Sequence, residues 1–380
     1  MSSISITTFV PASRIRNGAW FKRLGFTKTF PSDTIDSYLT ILMEETQKLK
    51  IGVLYGGFSS ERAVSLLSGE NVAKNLSRTT YAVTTIDVVD ETHWQLKGEE
   101  GPPFVLDMST GEARALLQDF DVFFNVLHGK YGEDGQLQIF LDSLGVQYTG
   151  SGVVASQLTM DKITAMERGR EAGLLVPDYF PFDATSKEKE LQKKIKESFD
   201  YPVIVKPNDS GSTLGLSLVQ NEKELALALK KALAESSRAI IQQYIFGREF
   251  TSGILANRGG TEATLLPPVE IIIKNKIFDY NDKYFSKETQ ELCPAPIDTF
   301  LAEKIKSLAF LAHRTFGCDG LSRSDFRMDG IGRLFFLETN SSPGMTEASL
   351  CPKEALAAGM TLAELLDDMV DLAVKRGVVQ

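Results

Sequence analysis

RSDFRMDGIGRLFFLETN, residues 323–340, reads as a β-hairpin with DGIG at its tip. Side chains alternate faces along a strand, so Arg323 and Asp325 share one face, and Glu338 and Asn340 share a face on the returning strand. The turn brings Asp325 opposite residues near 336–338. Two carboxylates, a carboxamide oxygen and a guanidinium gather there beside the apolar run FFL. Hard oxygen ligands of this kind suit magnesium, which also keeps substrate phosphates as ligands. A solvated hairpin with a surface ion pair is the plain alternative for any one acid. Four such groups on one hairpin favour a metal site.

Working outward, the chain organises around this hairpin in units. Before it, FLAEKIKSLAFLAHRTFG has helical spacing, and REFTSGILA and LLPPVEIIIK read as strands of the same unit, which starts near Gly247. After it come the loop NSSPGMTEASL and a closing helix, TLAELLDDMVDLAVKR. A unit beginning near Ser151 holds a helix, SQLTMDKITAMERGREAG, ending at Gly173. Strand YPVIVKP, loop NDSGSTLG, strand LSLV, an amphipathic helix from Asn221 and strand AIIQQYI follow. Residues 50–150 alternate strands (KIGVLYGG, YAVTTIDVV, DVFFNVLHG) with helices, the last closed by Gly145. That pattern predicts an α/β unit with a parallel sheet.

Composition narrows the function classes. The chain has 380 residues, 43% hydrophobic and 24% charged, an ordinary globular balance with room for two or three packed units. The net charge of -9 does not favour nucleic acid or an anionic membrane as partner, and no apolar run approaches the ~20 residues needed to span a bilayer. The three cysteines form no CxxC pair and the three histidines are scattered, so neither a disulfide framework nor a histidine-rich metal site is expected. Residues 1–42 differ from the rest. They carry Arg14, Arg16, Lys22, Arg23 and Lys28 and no acid before Asp33. They read as a flexible extension, taken here to residue 48, or as a start assigned upstream of Met43. If they target, the composition is that of an organellar transit peptide. The expected compartment is otherwise the cytoplasm.

Three further elements carry chemistry. In VIVKP-NDSGSTLG-LSLV, glycines let backbone N–H groups approach phosphate, and Lys206 leaves the strand as a cation. No Gly-Lys-Ser/Thr ends the loop and a strand follows it, so it is not a Walker A loop. GGFSSERAVS, residues 56–65, is a glycine turn entering a helix, able to hold an anion at the helix start. Glu61 there is either a favourable charge at the dipole or a carboxylate that holds a substrate ammonium. HGKYGEDG, residues 128–135, follows a strand's C-terminal end, where open α/β sheets bind ligands.

These elements together resemble the D-alanine–D-alanine ligase family of the ATP-grasp superfamily. GG-x-S-x-ER-x-VS, HG-x-x-GEDG, YTGSGV-x-AS-x-x-x-MDK, IVKP-x-x-x-GS-x-x-G, GRE, DKY, R-x-D and E-x-N-x-SPGMT-x-x-SL occur in family order over about residues 50–370. The resemblance implies a three-domain α/β ATP-grasp architecture: an N-terminal parallel-sheet α/β domain (49–150) and two α+β domains (151–248 and 249–380) clasping ATP. It also implies roles. Lys162 and Lys206 would bind ATP phosphates. Gln242, Gln243 and Ile245 would line the adenine, and Glu249 would hold the ribose. Asp325, Glu338 and Asn340 would ligate magnesium (two ions, with manganese able to substitute). Glu61 would bind the first D-alanine's ammonium, with His128 near its carboxylate. Ser212 and Tyr284 would join Glu61 in closing the site. Arg323 and the Gly344 backbone would stabilise the oxyanion. Lys283, Ser349 and Leu350 would hold the second alanine's carboxylate, and 274–290 would be a mobile cover.

The implied activity joins two D-alanines through a D-alanyl phosphate, for peptidoglycan precursors, in a homodimer. Relatives that join D-alanine to D-lactate or D-serine are the alternative, and the Lys283–Tyr284 pair resembles the dipeptide-forming type. The chain departs from the family in having Gln242 where a glutamate is usual and Phe278 where an aromatic hydroxyl is common. A nucleotide-binding domain without catalysis fits poorly with an intact metal trio and both lysines. A nicotinamide oxidoreductase fits poorly because G-x-G-x-x-G is missing.

Overall fold

The computed structural model describes residues 48–76, 80–97, 104–211, 214–272 and 289–376, with the backbone of Ile4–Ser5 and Thr29–Phe30. The chain divides into two compact units. In the smaller, residues 1–49 with 79–82, Ile4–Ser5 pairs antiparallel with Thr29–Phe30. The rest of the expected extension, apart from Lys48, lies outside the described residues. The larger unit, residues 50–78 with 83–380, contains the site.

Six strands build the first sheet: β1 (Leu49–Gly56), β2 (Tyr81–Val88), β3 (His93–Lys97), β4 (Phe104–Asp107), β5 (Val122–Asn125) and β6 (Gln147–Tyr148), in the order β4-β3-β2-β1-β5-β6. Helices α1 (Arg62–Asn75), α2 (Gly111–Leu117) and α3 (Gln136–Leu144) connect them. β1 and β5 run parallel, with Ile51 opposite Val122 and Val53 opposite Phe124. All four of these side chains are fully buried. A strand covered on both faces reads as an unbroken apolar run, as these do. α3 ends at Gly145, φ 70°, the left-handed cap that its glycine predicts.

The parallel pairing expected here holds for β1 and β5, and the sheet is extended on one side by antiparallel strands that make it mixed. β2, β3 and β4 are antiparallel, with Val88 opposite Trp94 and Trp94 opposite Leu106. The link from Val88 to His93 is too short for a parallel crossover, which needs roughly a dozen residues.

The long helix expected up to Gly173 is two helices, α4 (Val153–Met160) and α5 (Lys162–Glu171). Asp161 between them is extended, φ -80° and ψ 99°, and its Oδ1 accepts the Thr164 N–H at 2.9 Å. A short carboxylate does more for a helix start than for a helix interior, so the chain breaks there. Lys162 thereby becomes the first residue of a new helix.

The second sheet holds β7 (Tyr179–Asp183), β8 (Val203–Pro207), β9 (Ser217–Val219) and β10 (Arg238–Gln243), in the antiparallel order β9-β8-β10-β7. Helices α6 (Glu188–Ser198) and α7 (Glu222–Glu235) cover one face, packing Leu191, Ile195, Leu225 and Leu229 against Val203, Val205 and Ile241. The opposite face is left to line the site.

The third sheet contains β11 (Arg248–Ala256), β12 (Ala263–Leu265), β13 (Val269–Ile272), β14 (Gln290–Leu292), β15 (Gly320–Met328) and β16 (Leu334–Asn340). Its order is β14-β13-β11-β15-β16, with β12 also on β11. Helix α8 (Thr299–Phe316) starts at Asp298, whose Oδ1 accepts the Leu301 N–H at 2.8 Å, and ends at Gly317, φ 67°. Its Ile305, Ala309 and Phe316 share a core with Phe250, Phe326 and Phe336. Helices α9 (Leu350–Ala357) and α10 (Leu362–Arg376) follow. At the end of α10, Arg376 donates to the carbonyls of Gly150 (2.8 Å) and Tyr148, and its guanidinium lies 4.3 Å from the Tyr148 ring centre.

Candidate active site

The hairpin forms as β15 and β16. Asp325 faces Glu338 across the ladder, and Arg323 faces Asn340. The register shifts between Asp325 and Phe326, a bulge that separates the polar end from the Phe326–Phe336 core pair. Arg323 grips Asp325 with two bonds, Nε to Oδ1 at 3.0 Å and Nη2 to Oδ2 at 3.1 Å. Thr251 Oγ1 donates to Asp325 Oδ1 at 2.5 Å, and Asn340 Nδ2 donates to Oδ2 at 3.3 Å. Burial opposes the charge on Arg323, and the Asp325 carboxylate more than restores it.

Glu338 Oε2 sits 3.9 Å from both Lys162 Nζ and Lys206 Nζ. Among the described residues no group of three His, Cys, Asp or Glu gathers to hold a metal. The hairpin instead offers two carboxylates and the Asn340 oxygen. That set is too small to enclose a cation and fits magnesium, which takes its remaining oxygens from phosphates and water.

A cavity of about 140 Å³ opens between the second and third sheets. Lys162, Lys206, Gln242, Gln243, Ile245, Glu249, Arg323, Asp325, Glu338 and Leu350 all line it. Lys162 is fixed by its place at the start of α5: its N–H donates to Asn208 O at 3.0 Å, and Nζ donates to Ser210 O at 2.7 Å. Burial, partly offset by Glu338, pulls Lys206 down to about 8. Such a lysine gains strongly from a phosphate brought beside it. At the other end, burial pushes Glu249 up to about 7 despite Arg327 Nε at 3.5 Å. The Gln242 amide donates to Met166 Sδ at 3.4 Å, leaving its oxygen to accept from an amino group. One end of the cavity thus carries the two lysines, and the other combines apolar side chains with the Gln242 amide and the Glu249–Arg327 pair.

A second cavity, about 90 Å³, adjoins it and shares Gly211, Arg323 and Leu350. Glu61, His128, Asn340, Gly344 and Ser349 line it. Glu61 caps the start of α1. Its N–H donates to Ser59 Oγ at 3.1 Å, and that hydroxyl donates to His128 O at 2.6 Å. The carboxylate lies against two glycines of separate loops: a Cβ at Gly129 or Gly211 would stand only 2.6 or 2.5 Å from Glu61 Oε2. Ser349 Oγ accepts the Thr346 N–H at 3.0 Å and so holds the SPGMT loop closed upon α9.

The fold therefore gathers all the candidate residues that it describes into two adjoining cavities. Ser212, Lys283 and Tyr284 lie outside the described residues, as does the expected cover apart from Thr289 and Gln290. Sequence reasoning missed Thr251, Arg327, Glu133 and Glu291. Arg327 was legible, because it continues the alternation of Arg323 and Asp325, and it stands opposite Glu249. Glu291, which lines the second cavity and pairs with Lys353 at 2.5 Å, carries no local signal.

Comparison with known proteins agrees with this geometry. Residues 50–151 match the family model described as D-ala D-ala ligase N-terminus, and residues 169–371 match D-ala D-ala ligase C-terminus. The chain is 38% identical to the D-alanine--D-alanine ligase of Nitrosomonas europaea over 324 residues, covering 85% of this chain and 97% of that one. It is also 38% identical to that of Bordetella petrii, covering 85% and 92%. Among solved structures it resembles the VanG D-Ala:D-Ser ligase from Enterococcus faecalis, with TM-score 0.73, 28% identity, and 86% and 100% covered. The fold is also that of the D-alanine-D-alanine ligase from Coxiella burnetii, with TM-score 0.74, 23% identity, and 87% and 95% covered.

Proposed function

The chain belongs to the D-alanine–D-alanine ligase family, and on that premise we propose that its two cavities divide a single reaction, the ATP-dependent joining of two D-alanine molecules into D-alanyl-D-alanine. The observation that carries this reading is the wall they share. Arg323 borders both the cavity with two lysines and the cavity with Glu61 and His128. A phosphoryl group presented from one side can meet a carboxylate presented from the other.

In this reading a carboxylate oxygen of the first D-alanine attacks the γ-phosphorus of ATP, and ADP leaves. The amine of the second D-alanine attacks the acyl carbon of the resulting D-alanyl phosphate. The tetrahedral adduct then expels phosphate as the amide forms. Phosphoryl transfer needs positioning and charge neutralisation, for which Lys162 and Lys206 are well situated. Asp325, Glu338 and Asn340 would hold magnesium, as two ions, with manganese able to substitute; the bound metal would neutralise phosphate charge. Gln242, Gln243, Ile245 and Glu249 would hold the nucleoside. Glu61 and His128 would hold the first alanine, and Ser349 and Leu350, with Lys283, would hold the second. Arg323 and the Gly344 N–H would take the negative charge of the adduct. Ser212 and Tyr284 would complete closure with Glu61. Acyl phosphates hydrolyse, so burial of the site from water serves the chemistry.

The proposal extends to domain limits at 150 and 248, a homodimer, and a cytoplasmic place in peptidoglycan precursor synthesis. No helix among the described residues is long and apolar enough to cross a membrane. The likeness to a D-Ala:D-Ser ligase supports D-serine as the competing second substrate. The test is ADP release by purified protein with Mg-ATP and D-alanine, L-alanine, or D-alanine plus D-serine or D-lactate, with the product identified by mass. D-Alanine-dependent release yielding D-alanyl-D-alanine is expected. A mixed product would replace this reading with the alternative, and no D-alanine dependence would sink both.

A further inference from the structure

We propose that Ser68 is a positioning residue for the first amino-acid subsite, whose hydroxyl fixes the tautomer of His128 and ties that ring to the backbone beside Gly344. The inference rests on the reading above, in which His128 lies beside the first alanine's carboxylate.

Ser68 is on α1, two turns beyond Glu61, and is fully buried. Its Oγ lies 3.1 Å from His128 Nε2 and accepts the Met345 N–H at 3.3 Å. One turn further along α1, Asn71 Nδ2 donates to Met345 O at 2.7 Å. Both backbone groups of Met345 are therefore held by α1, the helix that Glu61 begins. A single rigid element sets the spacing between the Glu61 carboxylate, the His128 ring and the loop that presents Gly344.

The hydroxyl also decides where the imidazole carries its proton. Ser68 has one proton to give, and an oxygen lone pair is already taken by Met345. Among the described residues, the acceptor within reach of that proton is His128 Nε2. A buried hydroxyl proton left without an acceptor is costly. Nε2 must then be bare, and the ring is neutral with its proton on Nδ1. An imidazolium would make Nε2 a donor to the oxygen's second lone pair and would strand the hydroxyl proton. The chemistry gains from this choice. The first alanine's carboxylate has to attack phosphorus, and a full ion pair with an imidazolium would reduce its nucleophilicity. A neutral donor orients the carboxylate and leaves it reactive.

The experiment uses the full chain labelled with ¹⁵N-histidine. Only three histidines contribute signals, and a His128→Asn variant assigns the relevant pair. At pH 7 the wild-type protein is expected to show His128 as the neutral Nδ1–H tautomer. A dominant Nε2–H tautomer, or an imidazolium, would overturn the proposal whether or not Ser68→Ala folds. In Ser68→Ala the tautomer preference is expected to relax. The KM for D-alanine at the first subsite should rise roughly five- to twentyfold while that for ATP changes less than about twofold. An unchanged first-subsite KM in Ser68→Ala, or equal losses for both substrates, would also overturn it. Absence of D-alanine-dependent ADP release by the wild-type protein would instead sink the functional reading, and the tautomer result would stand separately.

Discussion

Replacing Gly211 by alanine probes the position of Glu61 without altering Glu61 itself. The new Cβ would stand 2.5 Å from Glu61 Oε2, where ordinary contact begins at about 3.4 Å. The carboxylate must therefore move by about 0.9 Å, because the loop backbone is less free to shift than a side-chain end. The Gly129 loop flanks the same oxygen on another side, where a Cβ would stand 2.6 Å from it. Backbone strain does not confuse the result, because Gly211 is outside the left-handed region. A misplacement near 1 Å in a positioning group costs on the order of 10²-fold in rate, so kcat/KM for D-alanine should fall by about that factor. Steady-state ADP release would measure it. A double-mutant cycle on stability gives an independent reading of the geometry. The overpacking penalty of Gly211→Ala, roughly 1–3 kcal/mol in urea unfolding, should largely vanish in a Glu61→Ala background. Wild-type kinetics in Gly211→Ala, or the same penalty in both backgrounds, would refute the contact from which the argument starts.

Glu338→Gln should lower turnover on the order of 10³-fold or more, because it removes a charge that faces both lysines from an intact strand; its thermal midpoint should move by no more than about 3 °C, and normal ADP release would void the metal assignment. Lys206, at about 8 in the free protein, should be driven to its charged form by a bound phosphate, so nucleotide affinity should decline as pH rises above about 8. Calorimetry in two buffers of different ionisation heat should detect proton uptake there, and affinity constant from pH 7 to 9.5 would contradict it. The same depressed pKa carries a sign for stability: the unfolded chain holds this proton more tightly up to 10.5, so the Lys206 contribution to stability rises with pH between about 8 and 10.5. Asp161→Ala removes the cap of α5 and the partner of Arg238, and should cost about 1 kcal/mol in urea unfolding with weaker nucleotide binding through Lys162; unchanged stability would mean that the cap contributes nothing.

Legibility of the site followed distance along the chain. The hairpin could be read to within a residue or two, because its four groups lie within one local turn and alternation fixes their faces; Asp325 opposes Glu338, inside the expected range 336–338, and the bulge that sets this register was not foreseen. Gly145 and Gly317 marked helix ends because left-handed backbone favours glycine. The break at Asp161 was missed because the flanking segments share helical spacing, and only the competition between cap and helix interior separates them. The antiparallel strands β3 and β4 were missed because they are short and lack a repeated apolar alternation. Least legible was the packing of Glu61 against Gly129 and Gly211, since the three come from loops far apart in the chain. Periodicity carries no information about such encounters. The ordered set of motifs implied, by family resemblance, only that Glu61 shares a site with His128 and Ser212.

The clasp at Arg376 bears on how the protein is made. Its guanidinium holds the Gly150 carbonyl across a separation of 226 residues. At roughly 5–20 residues per second, a ribosome adds Arg376 about 10–45 s after Gly150. Throughout that interval the segment leaving the first sheet is without its fastener, while the elements that form the cavities are still emerging. Nascent chains stalled before residue 376 should therefore be cut by protease near 148–151 more readily than the released protein.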